Sequence, residues 1–306
     1  MSDIKLFRLS KTGVKELSGS SVALEKSLQT LIENNLEVFL GIRFLATEHY
    51  TGRTHGGRID TLGIDENYCP VIIEYKRAAN ENVVNQGLFY LDWLLDHRAE
   101  FKLLVMEKLN KSISEKIEWS NPRLLCIAGD FNKYDVHAVS QMNRNIELIR
   151  YRKYDDDMLL LELVNATAAT ETIVKAGIPP NSGKSKSTRY TVTESLSKAD
   201  PQLQDLHESV KSYLLALGDD VQLKTLKYYF AFQRIKNFAC VEVHPQTRHI
   251  IMYLKINPAA VKEEKGFIRN VANIGHQGTG DIEVILGTRD DFEKVKYLIQ
   301  QSYENN

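Results

Sequence analysis

The sequence predicts an α/β fold in its N-terminal half, followed by a small α+β domain. Residues 58–64 and 71–77 have the composition of strands, and the six residues between them, DENYCP, are rich in turn formers, which favours a hairpin. Residues 83–95 then carry apolar side chains at the spacing of one helical face. Another strand is predicted at residues 123–128. A strand pair followed by a helix and a further strand is typical of α/β domains and not of helix bundles.

An amphipathic helix is predicted upstream of the hairpin, over residues 20–40. Starting from Leu24, apolar residues fall at positions i, i+4, i+7 and i+8, with Glu and Lys between them. We also expect strands at residues 44–46 and 102–106, where apolar side chains cluster. The N-terminal domain is therefore predicted to combine helices and strands from residue 20 onward.

The composition changes sharply between the two halves of the chain. Residues 166–200 are rich in Ala, Thr, Ser, Gly, Pro and Lys, and are predicted to be a linker. This divides the chain into a domain of residues 1–165 and an α+β domain of residues 201–306. Within the second domain we expect two helices, at 203–217 and 292–303, and four strands, at 227–232, 239–244, 249–256 and 280–286.

Charge and cysteine content restrict the classes of function. The formal net charge of the 306 residues is −1, so any nucleic acid would have to bind to a local basic patch. Three widely spaced cysteines argue against a disulfide framework and against a structural zinc site. The start of the chain lacks an apolar signal region, and no window approaches a membrane span. We therefore expect a cytoplasmic protein without a membrane partner.

The strongest chemical signal lies in the predicted hairpin. Asp60 is in its first strand and Glu74 in its second, so pairing of the strands can bring the two carboxylates together. Lys76 follows Glu74 at strand period and shares its face, and the backbone carbonyl of Tyr75 is a further candidate metal ligand. Carboxylates with a divalent ion can activate water for phosphodiester hydrolysis. The lysine could orient or deprotonate that water, or neutralise charge in the transition state.

Two helices add candidate residues to this site. Gln86 and Tyr90 lie one helical turn apart directly after the Glu74 strand, where they could hydrogen-bond the substrate backbone or orient Lys76. Glu25 on the first helix could bring another carboxylate to the metal, although a solvated Glu beside Lys26 explains it equally well. An isolated Glu-x-Lys is common in edge strands, so the order of strand, turn, strand and helix carries this prediction.

These motifs resemble those of a known group of enzymes. The stretches GGRID, VIIEYKR and QGLFYLDWL, within about residues 20–130, resemble the PD-(D/E)XK nuclease superfamily, in particular its NucS-like domain with a RecB-type QxxxY helix. The resemblance implies a restriction-endonuclease-like core with a mixed central sheet flanked by helices, dependence on Mg²⁺ or Mn²⁺, and DNA as substrate. It assigns these residues: Asp60 and Glu74 to the metal, Lys76 as the motif lysine, Gln86 and Tyr90 to the QxxxY helix, and Glu25 as the acid of the first helix.

The second domain gives less information. The stretches FAFQRIKNFA, IMYLKI and IGHQGTGD are similar to a domain of unknown function that is found alone or fused behind such nuclease domains. Its interleaved aromatic and basic residues fit either a strand that buries alternate aromatics or a base-stacking surface. Residues 275–281 fit a tight turn, or a polar binding loop that uses His276 and Asp281.

The sequence therefore predicts a metal-dependent DNA endonuclease that acts in repair, restriction or defence. A homodimer is compatible with this prediction. Two other functions remain open. The fold could persist as an inactive module that binds nucleic acid or protein, or the same site could cleave RNA. Intact Asp60, Glu74 and Lys76 favour an active enzyme.

Overall fold

The computed structural model describes residues 4–21, 25–76, 83–155, 157–167 and 190–306. They form a mixed α/β domain followed by a second, smaller domain, in agreement with the predicted fold class. In the described residues, no helix is both long enough and apolar enough to cross a membrane.

A seven-stranded mixed sheet organises the first domain, in the order β3-β8-β7-β6-β5-β4, and β9 also pairs with β8. The β6–β7 and β7–β8 pairs are parallel and the other pairs are antiparallel. Its strands are β3 (Gly19–Ser20), β4 (Ile42–Tyr50), β5 (Arg58–Asp65), β6 (Pro70–Lys76), β7 (Arg123–Ala128), β8 (Asn145–Tyr154) and β9 (Met158–Ala166). A separate hairpin precedes them, formed by β1 (Leu6–Ser10) and β2 (Gly13–Leu17).

Helices cover both faces of this sheet, because β6 and β7 are apolar on both sides. Helices α1 (Glu25–Asn34) and α2 (Leu36–Leu40) contribute to the core on one face. Helices α4 (Val83–Asp96) and α5 (Arg98–Lys108) contribute to the core on the other. Short helices complete the domain: α3 (Gly52–His55), α6 (Lys111–Ser114) and α7 (Lys133–Ser140).

The second domain is a six-stranded antiparallel sheet with helices on one face. Strand order is β10-β11-β12-β13-β15-β14. The strands are β10 (Gln222–Thr225), β11 (Phe230–Gln233), β12 (Asn237–His244), β13 (His249–Leu254), β14 (Ile268–Asn270) and β15 (Ile282–Leu286). The helices are α8 (Val192–Ser197), α9 (Pro201–Leu215) and α10 (Arg289–Glu304). Phe230, Phe232 and Phe238 are buried in the core under these helices, which favours the alternating-core interpretation of the aromatic run.

Several predicted elements differ from the structure. Residues 102–106, predicted as a strand, lie within α5, where Phe101 and Val105 are buried one helical turn apart. The predicted helix 20–40 is two helices, and Ser20 belongs to a strand. The hairpin of β1 and β2 and the adjacent strands β8 and β9 were not predicted. Arg77, placed at the end of the second hairpin strand, lies outside the described residues.

The predicted linker is structured at its C-terminal end. Most of residues 166–200 lie outside the described residues. Helix α8 nevertheless falls within this range, and its Val192 is only 2% exposed in the core of the second domain. A Thr191 capping box starts this helix. The second domain therefore begins before residue 201.

Candidate active site

The hairpin of β5 and β6 opens where its two acids lie. The strands pair from Ile64↔Pro70 to Thr61↔Ile73, and beyond this point each acid accepts a hydrogen bond from the opposite backbone. The Tyr75 amide donates to Asp60 Oδ2 at 3.0 Å, and the Asp60 amide donates to Glu74 Oε1 at 3.2 Å. The structure thus brings together Asp60 and Glu74, which are far apart in sequence.

Burial makes this carboxylate pair costly to ionise. Glu74 is 0% exposed, and its Oε2 accepts no hydrogen bond from the described residues. Burial, and then the charge of Asp60, raises the pKa of Glu74 to about 9. Burial also raises the pKa of Asp60 to about 6, against the lowering effect of the Tyr75 amide. A buried acceptor without a donor, beside a second carboxylate, is suited to a bound cation.

Lys76 and Glu25 reach the same site from β6 and α1. Lys76 Nζ lies 3.5 Å from Glu25 Oε1. The positive charge of Lys76 lowers the pKa of both Asp60 and Glu74, although less than burial raises it. Glu25 therefore lies at the site, and in this structure it contacts the lysine.

A fourth acid at the site, Glu48, was not predicted. The β4–β5 pairs Thr47↔Thr61 and His49↔Ile59 place Glu48 beside Asp60, and its charge raises the pKa of both predicted acids. Its φ of +48° is a conformation that non-glycine residues seldom adopt. The predicted strand ended at residue 46, so sequence periodicity gave no reason to place Glu48 next to the site.

A partly buried hydrogen-bond network on α1 fixes the backbone of Asp60. Gln29 Nε2 donates to the Asp60 carbonyl at 2.7 Å and to Glu33 Oε1 at 3.0 Å. Glu33 in turn accepts from Thr61 Oγ1 at 2.6 Å. Neither Gln29 nor Glu33 was predicted, although both lie on the helix that was expected to face the site.

The QxxxY helix contacts the backbone of β5. Gln86 Nε2 donates to Tyr90 Oη at 3.4 Å, and Tyr90 Oη accepts from the Arg58 amide at 3.1 Å. A Cβ on Gly57 would lie 2.6 Å from the Tyr90 ring, so only glycine allows this approach. These contacts hold the strand two residues before Asp60. The roles of Gln86 and Tyr90 in substrate binding or in orienting Lys76 stay predictions.

The donor set fits a hard divalent ion held by two carboxylates. Among the described residues, no group of three or more His, Cys, Asp or Glu is arranged to hold a metal. Mg²⁺ in proteins commonly uses one or two carboxylates and completes its shell with water and substrate phosphate. Asp60 and Glu74 meet that requirement. The observed Tyr75 contact is made by its amide N–H, and nothing in the geometry yet assigns its carbonyl.

Known proteins are similar to this chain to different extents. Residues 192–306 match the family described as Domain of unknown function (DUF5655). This match covers the second domain alone. An uncharacterized protein of Haemophilus influenzae is 28% identical over 307 residues, which cover 99% of this chain and 100% of that protein. A solved structure, "Structure of EndoMS-dsDNA2 complex", is similar at 19% identity with a TM-score of 0.25, over 43% of this chain and 47% of that chain. None of these similarities assigns an activity to this chain.

Proposed function

We propose that this chain is a metal-dependent nuclease of the PD-(D/E)XK type that hydrolyses phosphodiester bonds, with DNA as its substrate. The observation that carries the proposal is the pair of buried Glu74 and half-buried Asp60 at the open end of the hairpin, with Lys76 beside it. Burying two acids together destabilises a fold unless a cation or a proton compensates. A catalytic metal ion bound by the two carboxylates would compensate their negative charge.

In this mechanism Asp60 and Glu74 would hold Mg²⁺ or Mn²⁺, and the ion would supply a Lewis acid for activating a water and polarising a phosphate oxygen. Glu25 and Glu48 add negative charge around the pair, and Gln29 keeps the Asp60 backbone in place. Lys76 supplies positive charge where the attacking oxygen and the phosphoryl oxygens carry negative charge. Gln86 and Tyr90 act indirectly, by holding the start of β5.

A substrate panel tests the proposal directly. The purified full chain is incubated with single-stranded, double-stranded and mismatched DNA and with RNA, each in Mg²⁺, Mn²⁺ and EDTA. We expect DNA cleavage that requires the metal. Cleavage of RNA alone would reassign the substrate, whereas binding without cleavage of any polymer would favour an inactive nucleic-acid-binding module.

Metal binding should strengthen as the pH rises, because the ion must displace protons. Without metal, the folded protein keeps protons on Asp60 and Glu74 that the unfolded chain releases above the ordinary carboxyl pKa. Raising the pH toward the Glu74 pKa of about 9 therefore destabilises the metal-free protein. A bound divalent ion should offset this loss.

Thermal unfolding with and without Mg²⁺, from about pH 6 to about pH 8.5, measures this linkage. We expect the metal-induced rise in melting temperature to grow across this range. In Glu74→Gln, which keeps the side-chain shape and cannot ionise, the rise should be small at every pH. A stabilisation by Mg²⁺ that is equal in both proteins and independent of pH would contradict the assignment of Glu74.

A further inference from the structure

The turn that closes the β5–β6 hairpin is held by the second domain. Glu66 Oε2 lies 2.7 Å from Lys255 Nζ, and Glu66 Oε1 accepts from the Asn237 amide at 2.6 Å. The side-chain amides of Asn67 and Asn237 donate to each other at 3.2 and 2.7 Å. Tyr229 Oη also donates to Asn67 Oδ1 at 3.0 Å. Two consecutive turn residues are therefore bound through polar groups of the second domain.

Apolar contacts and a glycine-rich loop of the second domain also hold the turn. Cys69 is buried in a cluster with Tyr229, Cys240 and Tyr253, on the sheet face opposite the one that the helices cover. In the loop 275–281, Thr279 Oγ1 accepts from Asn237 Nδ2 at 3.1 Å. Gly278, at φ +77°, lies so close to Cys240 that a Cβ would be 2.7 Å from the Cys240 Cβ. The loop thus helps to hold the turn.

A buried charge network lies behind the turn and also needs the second domain. Arg123 contacts Asp65 at 2.9 Å and Glu147 at 2.7 Å, and all three side chains are buried. Two acids and one arginine leave one negative charge. Lys224 of β10, also buried, lies 3.4 Å from Asn145 and is attracted by Glu147. The formal charge of Lys224, from the second domain, balances this set, while burial lowers the pKa of Lys224 itself.

We infer that contacts between the turn and the second domain, made by Glu66, Asn67, Asn237 and Lys255 and called the clasp below, position the catalytic hairpin. This inference rests on the proposed function. The hairpin is closed at residues 65–70, which the clasp holds, and open at Asp60 and Glu74, which the ladder no longer pairs. The five residue steps from Asp65 to Asp60 span about 16 Å of strand. Because β5 is also paired with β4 and β6 with β7, a shift of the turn would be carried along both strands to the two acids. Glu66, Asn67, Asn237 and Lys255 are positioning residues.

The test uses the full chain with Lys255→Met and Asn237→Ala. Hydrogen exchange of the Asp60 and Tyr75 amides, which bond the opposite acids, reports on the open end without any activity assay. We expect both amides to exchange about tenfold faster or more, at conditions where global unfolding contributes nothing. In cleavage assays kcat should fall and the metal Kd should rise, with little change in the KM for DNA.

Two matched variants serve as controls. Lys255→Arg keeps the charge and should retain wild-type exchange, and Arg234→Met removes a similar ion pair, with Asp220, that lies wholly within the second domain. If Asn237→Ala does not fold, the half-exposed Lys255→Met still decides the question. Unchanged exchange of both amides in Lys255→Met would overturn the clasp, even in an active nuclease. Faster exchange in a protein that cleaves no polymer would support the clasp and reject the proposed function.

Discussion

Asp60→Ala and Glu74→Ala should abolish metal-dependent cleavage and weaken metal binding together, because these two side chains are the proposed ligands of the ion. Lys76→Ala should retain the ion and lose mainly the chemical step, with kcat lower by on the order of 10² to 10⁴. DNA binding should survive in all three variants. Cleavage rates measured together with metal titration by calorimetry separate the two classes of effect.

Two controls make the result specific to the site. Glu107→Gln removes an exposed acid of α5 and should cleave at the wild-type rate. Gln86→Ala should cost less than Lys76→Ala, because Gln86 acts on the strand through Tyr90. Wild-type cleavage by Glu74→Ala would end the assignment of this hairpin as the catalytic element.

Of the variants proposed here, Arg123→Met should lower the free energy of unfolding most, by about 3 to 5 kcal/mol. It leaves Asp65 and Glu147 buried without their shared partner. Asp65 Oδ1 also accepts the amides of Asn67 and Cys69, both at 2.8 Å, so the turn would loosen as well. A fall in melting temperature on the order of 10 °C is expected for a chain of this size. Thermal and urea unfolding measure it.

The comparison variants separate burial from charge. Arg8→Met removes a contact to Asp155 whose two partners are both about half exposed, and should change stability by less than about 1 kcal/mol. Arg123→Lys keeps the charge but cannot contact both acids in the same way, so an intermediate loss is expected. If Arg123→Met were as stable as Arg8→Met, the buried network would contribute nothing to the fold.

The chain's local patterns were sufficient for much of the first domain. The strand over residues 123–128 is confirmed at both ends, and the hairpin strands are confirmed to within one residue where described. Their apolar runs and turn residues are local signals. The abrupt change from Val-Ile-Ile to Glu-Tyr-Lys in β6 also pointed to Glu74, which the structure brings to Asp60. The predicted strand at 102–106 was wrong because a short apolar run alone does not separate strand from helix.

What the sequence by itself determined is the run of β5, β6, α4 and β7, and the two acids that pairing of the hairpin brings together. Only the tertiary structure decided that Glu48 lies beside Asp60, that Tyr90 binds the backbone of β5, and that the second domain holds the turn. The physical reason is that periodicity records which side of an element is buried and not which partner covers it. Glu66 and Asn237 are 171 positions apart, and no local pattern in either segment specifies their contact.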